Sequence, residues 1–285
     1  MVVALSLVAA LLYAVGTVLQ GQAASQSSKQ EASSAGFLLK LARRPRWLAG
    51  MAAAGLGFAA QAWALAIGHL VVVQPLLATS VVFALPLGAR LAGRRVSRRE
   101  IVAAVAVTAG LGAFLAVADP TGGVNDAAAG EWIASFVICG GLAAVLVLAA
   151  RGRAPARRAA LLGTGAGILF ALAAALTKAT VEQLDEGVLS IPGNWHVYAL
   201  VVVGWVSMTL SQSSLAAGAL APAAATQMSL DPIASVALGI LAFEETIHET
   251  PLTAVLALVA FAVMIAGLVV LAGAQQSEGA EAPAA

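Results

Sequence analysis

Charge is scarce in this chain. Only 10% of its 285 residues are Asp, Glu, Lys or Arg, against 61% hydrophobic. A water-soluble domain of this length needs far more charge to cover its surface, so lipid is the expected solvent for most of the protein. Cysteine is rarer still: the one thiol, Cys139, excludes an intrachain disulfide and, inside an apolar run, reads as a small buried hydrophobe. No Lys or Arg precedes the first apolar run, MVVALSLVAALLYAVGTVLQ, which therefore lacks the basic flank of a secretory signal and reads as a retained span. HExxH, GxSxG, a P-loop and Cys/His ligand spacing are all missing, and no loop is long enough for a nucleotide domain. Neither an enzyme nor an ATP-driven pump is expected, and no cofactor.

Long apolar runs, by contrast, fill the chain. A spanning helix needs about 20 mostly apolar residues. By that rule spans are expected at about 2–24, 46–68, 71–92, 101–118, 131–150, 159–181, 195–218, 221–243 and 252–273. Gly68-His69 and Gly218-Ala219 supply tight reversals. The loops then alternate between two sides, and the charges sort with them. Lys29, Lys40, Arg43, Arg44 and Arg46 share one side with Arg90, Arg94, Arg95, Arg98 and Arg99, and with Arg151, Arg153, Arg157 and Arg158. The other side holds Asp119, Asp126, Glu131, Glu182, Asp185, Glu186, Glu244, Glu245 and Glu249. The positive-inside rule puts the N-terminus outside and the C-terminus in the cytoplasm of a multi-pass plasma (inner) membrane protein. Topology accounts for the basic clusters, so nucleic acid is not an expected partner. The polar tail AQQSEGAEAPAA reads as disordered.

The two halves resemble each other. Leu65 to Arg94 lies over Leu215 to Glu244 without a gap, and YAVGTVLQGQA (13–23) lies over FALAAALTKAT (170–180). The expected organisation is a four-helix repeat (1–118), a linking fifth helix with its basic loop (119–158), a second repeat (159–273) and the tail (274–285). The odd helix inverts the second copy, a design that secondary transporters use to alternate access around a midplane site. The expected fold is an all-α integral membrane protein of nine transmembrane helices, as two inverted four-helix repeats joined by the fifth helix.

This layout resembles the drug/metabolite transporter (EamA-like) superfamily over nearly the whole chain. GHLVVVQPLLATSVVFALPLGARL (68–91) and QSSLAAGALAPAAATQMSLDPIASVALGILAFEE (212–245) resemble the two repeat signatures of its NIPA-like branch. The resemblance implies secondary transport, and the branch implies magnesium as an alternative substrate. Arg94-Arg95 stands where many relatives carry Glu.

Candidate site residues follow from depth. Asp231 lies about 10 residues, or about 15 Å, into its span. A lone carboxylate there costs roughly 2.5–3.5 kcal/mol, so it should face a cavity or partner, where reversible protonation is available to it. Pro232 frees a backbone carbonyl one turn earlier. Gln61 and Gln212 take similar places in spans 2 and 7, and Gln20, Tyr13 and Thr177 in spans 1 and 6. These side chains suit either substrate hydrogen bonds or interhelical contacts. Trp63 can stack on an organic cation or pack against lipid. Gln74 and Gln227 are weaker candidates. Lys178, off the basic side, is expected to pair with Glu182 at i+4, a gating or anion-binding role being the alternative. His69, His196 and the loop acids Glu244, Glu245 and Glu249, with His248, are expected to meet water.

The leading expectation is a proton-coupled or exchange transporter of a small metabolite or cationic compound. The alternatives are a magnesium transporter with Asp231 as metal ligand and a membrane scaffold or accessory subunit. The expected partners are the substrate and the bilayer; whether the chain forms a homodimer stays open.

Overall fold

The computed structural model describes residues 1–25, 44–91, 93, 95–118, 120–182, 193–217, 220–247 and 250–277. Lys29, Lys40, Arg43, Arg94, Asp119, Asp185, Glu186, His248, Glu249, the reversal at Gly218-Ala219 and the end of the tail (278–285) lie outside them. The helices are α1 (Val2–Ser25), α2 (Pro45–Ala66), α3 (Leu70–Ala78), α4 (Ser80–Leu91), α5 (Arg98–Ala118), α6 (Ala129–Ala150), α7 (Pro155–Glu182), α8 (Trp195–Leu215), α9 (Leu220–Leu241) and α10 (Pro251–Ser277). Counting α3 with α4, nine segments among the described residues are long and apolar enough to cross a membrane. This is a multi-pass membrane protein.

Helices of this composition are hydrophobic all round, so packing is decided by where backbones can approach. Glycine and alanine provide those places. A Cβ on Gly16 would lie 2.9 Å from the Gly50 oxygen, and one on Gly57 3.3 Å from the Ala9 oxygen, so α1 and α2 pack antiparallel. Gly110 of α5 meets Ala260 and Met264, while Gly267 of α10 meets Ala103 and Val107. Helix α7 is the axial element: 78% of its most apolar window is buried. Its Gly163 and Gly167 seat α9 against it in parallel, and Gly165 on another face meets Leu210 of α8.

Two departures from the expected elements occur. The third span is interrupted at Thr79, whose hydroxyl donates to the Leu76 oxygen at 2.6 Å, so that α3 and α4 meet end to end. Pro75 inside α3 already removes one ladder bond just before the break. The fold is also not wholly helical, because two short strands pair antiparallel, β1 (Thr121–Gly122) and β2 (Glu245–Thr246), with Thr121 opposite Thr246 and Gly122 opposite Glu245. Gly122 and Gly123, at φ +70 and +91, make the bend that allows this approach.

Candidate functional site

A cavity of about 410 Å³ lies in the middle of the bundle. Tyr13 of α1, Phe58 and Gln61 of α2, and Gln74, Ser80 and Val81 of α3 and α4 form one part of its wall. Phe170 and Thr177 of α7, Leu200 of α8, and Gln227, Met228, Asp231 and Pro232 of α9 form the other. Asp231 is the one carboxylate among the described lining residues. Its Oδ1 accepts from the Ser235 hydroxyl at 3.3 Å, and Tyr13 lines the same cavity.

The surrounding polar groups are held in place. Tyr13 donates to Gln61 Oε1 at 2.6 Å, joining α1 to α2, and Ser211 donates to Gln227 Oε1 at 2.7 Å, joining α8 to α9. Thr177 donates to the Ala173 oxygen of its own helix at 2.8 Å. With their oxygens engaged, Gln61 and Gln227 keep their amide N–H groups for an occupant. Pro232 cannot donate to the Met228 carbonyl, and both residues line the cavity.

The structure therefore brings together Asp231, Gln61, Tyr13, Thr177 and Gln227. It does not bring in three other residues singled out from the sequence. Gln212 is exposed and donates to Met208 Sδ one turn back at 3.9 Å. Trp63 is 59% exposed on the outer face of α2. Gln20 packs on Gly50 in the α1–α2 contact instead. The apolar helices carry no stripe that would have told these faces apart. Phe58, Ser80 and Phe170 line the cavity without having been singled out; nothing in their local sequence sets them off.

Toward the acidic end lies a second polar cluster. Glu245 is 1% exposed, and its carboxylate accepts from the backbone N–H groups of Leu70 and Val71 at 2.8 and 2.9 Å. Lys178 donates to it at 2.5 Å and sits 4.8 Å over the Phe243 ring. His69 Nδ1 is 3.8 Å away. This corrects two expectations. Lys178 pairs with Glu245 rather than Glu182, whose carboxylate accepts from Asn125 instead. Glu245 is not a solvated loop acid, because pairing of β1 with β2 turns it inward while Thr246 faces out. A carboxylate at the N-terminus of α3 is well placed, since it meets unpaired N–H groups and the positive end of the helix. His196 is also buried rather than wet: Asp126 lies 3.2 Å from its Nε2, and Asn194 caps α8 beside it. Trp132 donates to the same Asp126 at 2.8 Å.

Among the described residues there is no group of three or more His, Cys, Asp or Glu that could hold a metal ion. No family model matches the chain, and no solved structure does. An uncharacterized protein of Corynebacterium glutamicum is 31% identical over 241 residues, which cover 84% of this chain and 83% of that protein. The chain belongs to that protein's family. The match spans most of both chains, so the relationship concerns the whole bundle rather than one segment of it.

Proposed function

We propose that the chain is a secondary transporter of a small metabolite or organic cation, working by alternating access across the plasma membrane, by proton coupling or exchange. The observation that carries this reading is Asp231, the one carboxylate among the described residues of a mid-bundle cavity whose walls come from both halves of the chain. A charge at that depth needs a compensating partner, and a cationic substrate or a proton serves in turn. The packing supports the inverted-repeat organisation: α1 lies on α2 as α7 lies on α8, α5 packs with α10, and α3 with α9. The drug/metabolite transporter resemblance agrees with such an arrangement. Magnesium is the weaker reading, since Mg²⁺ usually takes one or two carboxylates and keeps several waters, and the described lining offers one. On the positive-inside rule the basic end faces the cytoplasm.

The test is thermal stability of the purified protein in detergent, wild type against Asp231→Asn, with organic cations, amino acids, nucleosides and divalent ions. A ligand held by the folded state raises the midpoint, by about 2.7 kcal/mol of stabilisation at a hundredfold excess over its Kd. The expected result is a shift in wild type that Asp231→Asn loses. Equal shifts in both proteins, or none with any ligand, overturn the proposal.

A further inference from the structure

Around the cavity, helices meet through glycine, as α1 meets α2 and as α7 meets α8 and α9. Gly204 of α8 behaves differently. It lines the cavity, yet a Cβ there would find no neighbouring group within 4 Å. Phe58 of α2 and Leu200 of α8 line the cavity with it, and all three also line a groove on the outer surface of the bundle. The cavity and the groove therefore share a mouth between α2 and α8. Both helices pack on α7, but they form no extended contact with each other among the described residues. Side chains alone make the wall at that place, and Phe58, the bulkiest of the three, is 46% exposed.

The mouth lies deep in the membrane. Phe58 and Gly204 both fall near the middle of their helices. Tryptophan marks the same depth. Trp47, Trp63, Trp132 and Trp195 lie within a turn of a helix end, the level at which indole rings usually meet a membrane interface. Trp205 is at the centre of α8 instead, 76% exposed, and it lines the groove. Lipid tails offer an indole N–H no acceptor. A cation passing the ring face gives the indole a reason to be there.

Asp231 supplies the charge on the inner side. An acidic cavity that opens onto hydrocarbon suits a molecule charged at one end and apolar along the rest. We infer that the mouth between α2 and α8 is a lateral portal and that the transported cation is amphipathic. Its charged head sits on Asp231, and its apolar chain lies in the groove past Phe58, Gly204 and Trp205. Such a compound enters the bilayer by its chain and reaches the cavity from lipid rather than from water. This inference rests on the transport reading above, since it needs Asp231 to receive a cation.

Tetramethylammonium and n-hexyltrimethylammonium test it, because they share a head and differ in the chain. With purified full-length wild type in detergent, the hexyl probe should reach its half-maximal rise in thermal midpoint at a concentration lower by about tenfold or more. Gly204→Leu fills the mouth from a position with open space, so its ligand-free midpoint should be no lower than that of wild type. In that variant the advantage of the hexyl probe should disappear while the tetramethylammonium shift remains. Gly141→Leu, equally open but on α6, should keep the advantage. Equal responses of wild type to both probes, or a hexyl advantage that survives in Gly204→Leu, overturn the inference and leave the transport reading standing. Loss of both shifts in Gly204→Leu also overturns it, by showing that the position serves the cavity and not a chain outside it. If neither probe moves wild type the inference falls, and the broader Asp231 screen decides separately whether the transport reading falls with it.

Discussion

Glu245 accepts two backbone N–H bonds and one from an ammonium, with almost no contact with solvent. Removing either charge leaves the other buried without compensation, which costs about 3–5 kcal/mol. Lys178→Met and Glu245→Gln should each lower stability by that order, measured as unfolding midpoints in detergent. The double variant should lose less than the sum, with a coupling of about 0.5–3 kcal/mol or somewhat more. If the two losses simply add, the pair is not an energetic unit. Residues differed in how legible they were from sequence. Asp231 could be read because it interrupts an apolar run, and any charge there must be explained. Glu245 could not, because it follows Glu244 at the end of a span and resembles a wet loop acid. Its inward turn depends on Thr121 and Gly122, more than a hundred positions away. Lys178 had Glu182 at the favourable helical spacing, but Glu182 is engaged by Asn125, and the nearer carboxylate in space is Glu245.

At the scale of helices, close approach through glycine sets the architecture. Gly110 and Gly112 sit two residues apart in α5 and make a controlled comparison. A Cβ on Gly110 would come within 2.6 Å of the Met264 nitrogen and 2.8 Å of the Ala260 oxygen, whereas Gly112 has nothing within 4 Å. Gly110→Ala should therefore cost about 1–3 kcal/mol by forcing α5 from α10. Gly112→Ala should be neutral or slightly stabilising, because alanine is the better helix former by about 1 kcal/mol. Thermal midpoints of the two variants decide the matter; equal effects would mean that α5 and α10 tolerate separation. The existence of the nine spans was readable from hydropathy, and their ends fall close to the expected places. Which way each helix faces was not readable. Gln20, Gln61 and Gln212 look alike in apolar surroundings, yet only Gln61 reaches the cavity, because rotation is fixed by small-residue contacts with neighbours. The break at Thr79 was likewise hidden inside a continuous hydrophobic run.

For the whole molecule, the sorting of basic and acidic loops is the strongest constraint on orientation. A reporter active only in the cytoplasm, fused beyond Ser277, should be active. One active only outside should be silent there. Replacing Arg151, Arg153, Arg157 and Arg158 by glutamine should yield a mixed population, because loop Lys and Arg residues hold the orientation. Unchanged reporter signals would show that those four residues do not set it. The buried pair also has a consequence for synthesis. Lys178 and Glu245 are 67 residues apart in the chain. At about 5–20 residues per second, a ribosome needs roughly 3–13 seconds to make the second after the first. Throughout that interval α7 carries an ammonium whose final partner does not yet exist, so the axial helix of the finished bundle must remain near water at that end until the eighth crossing is complete.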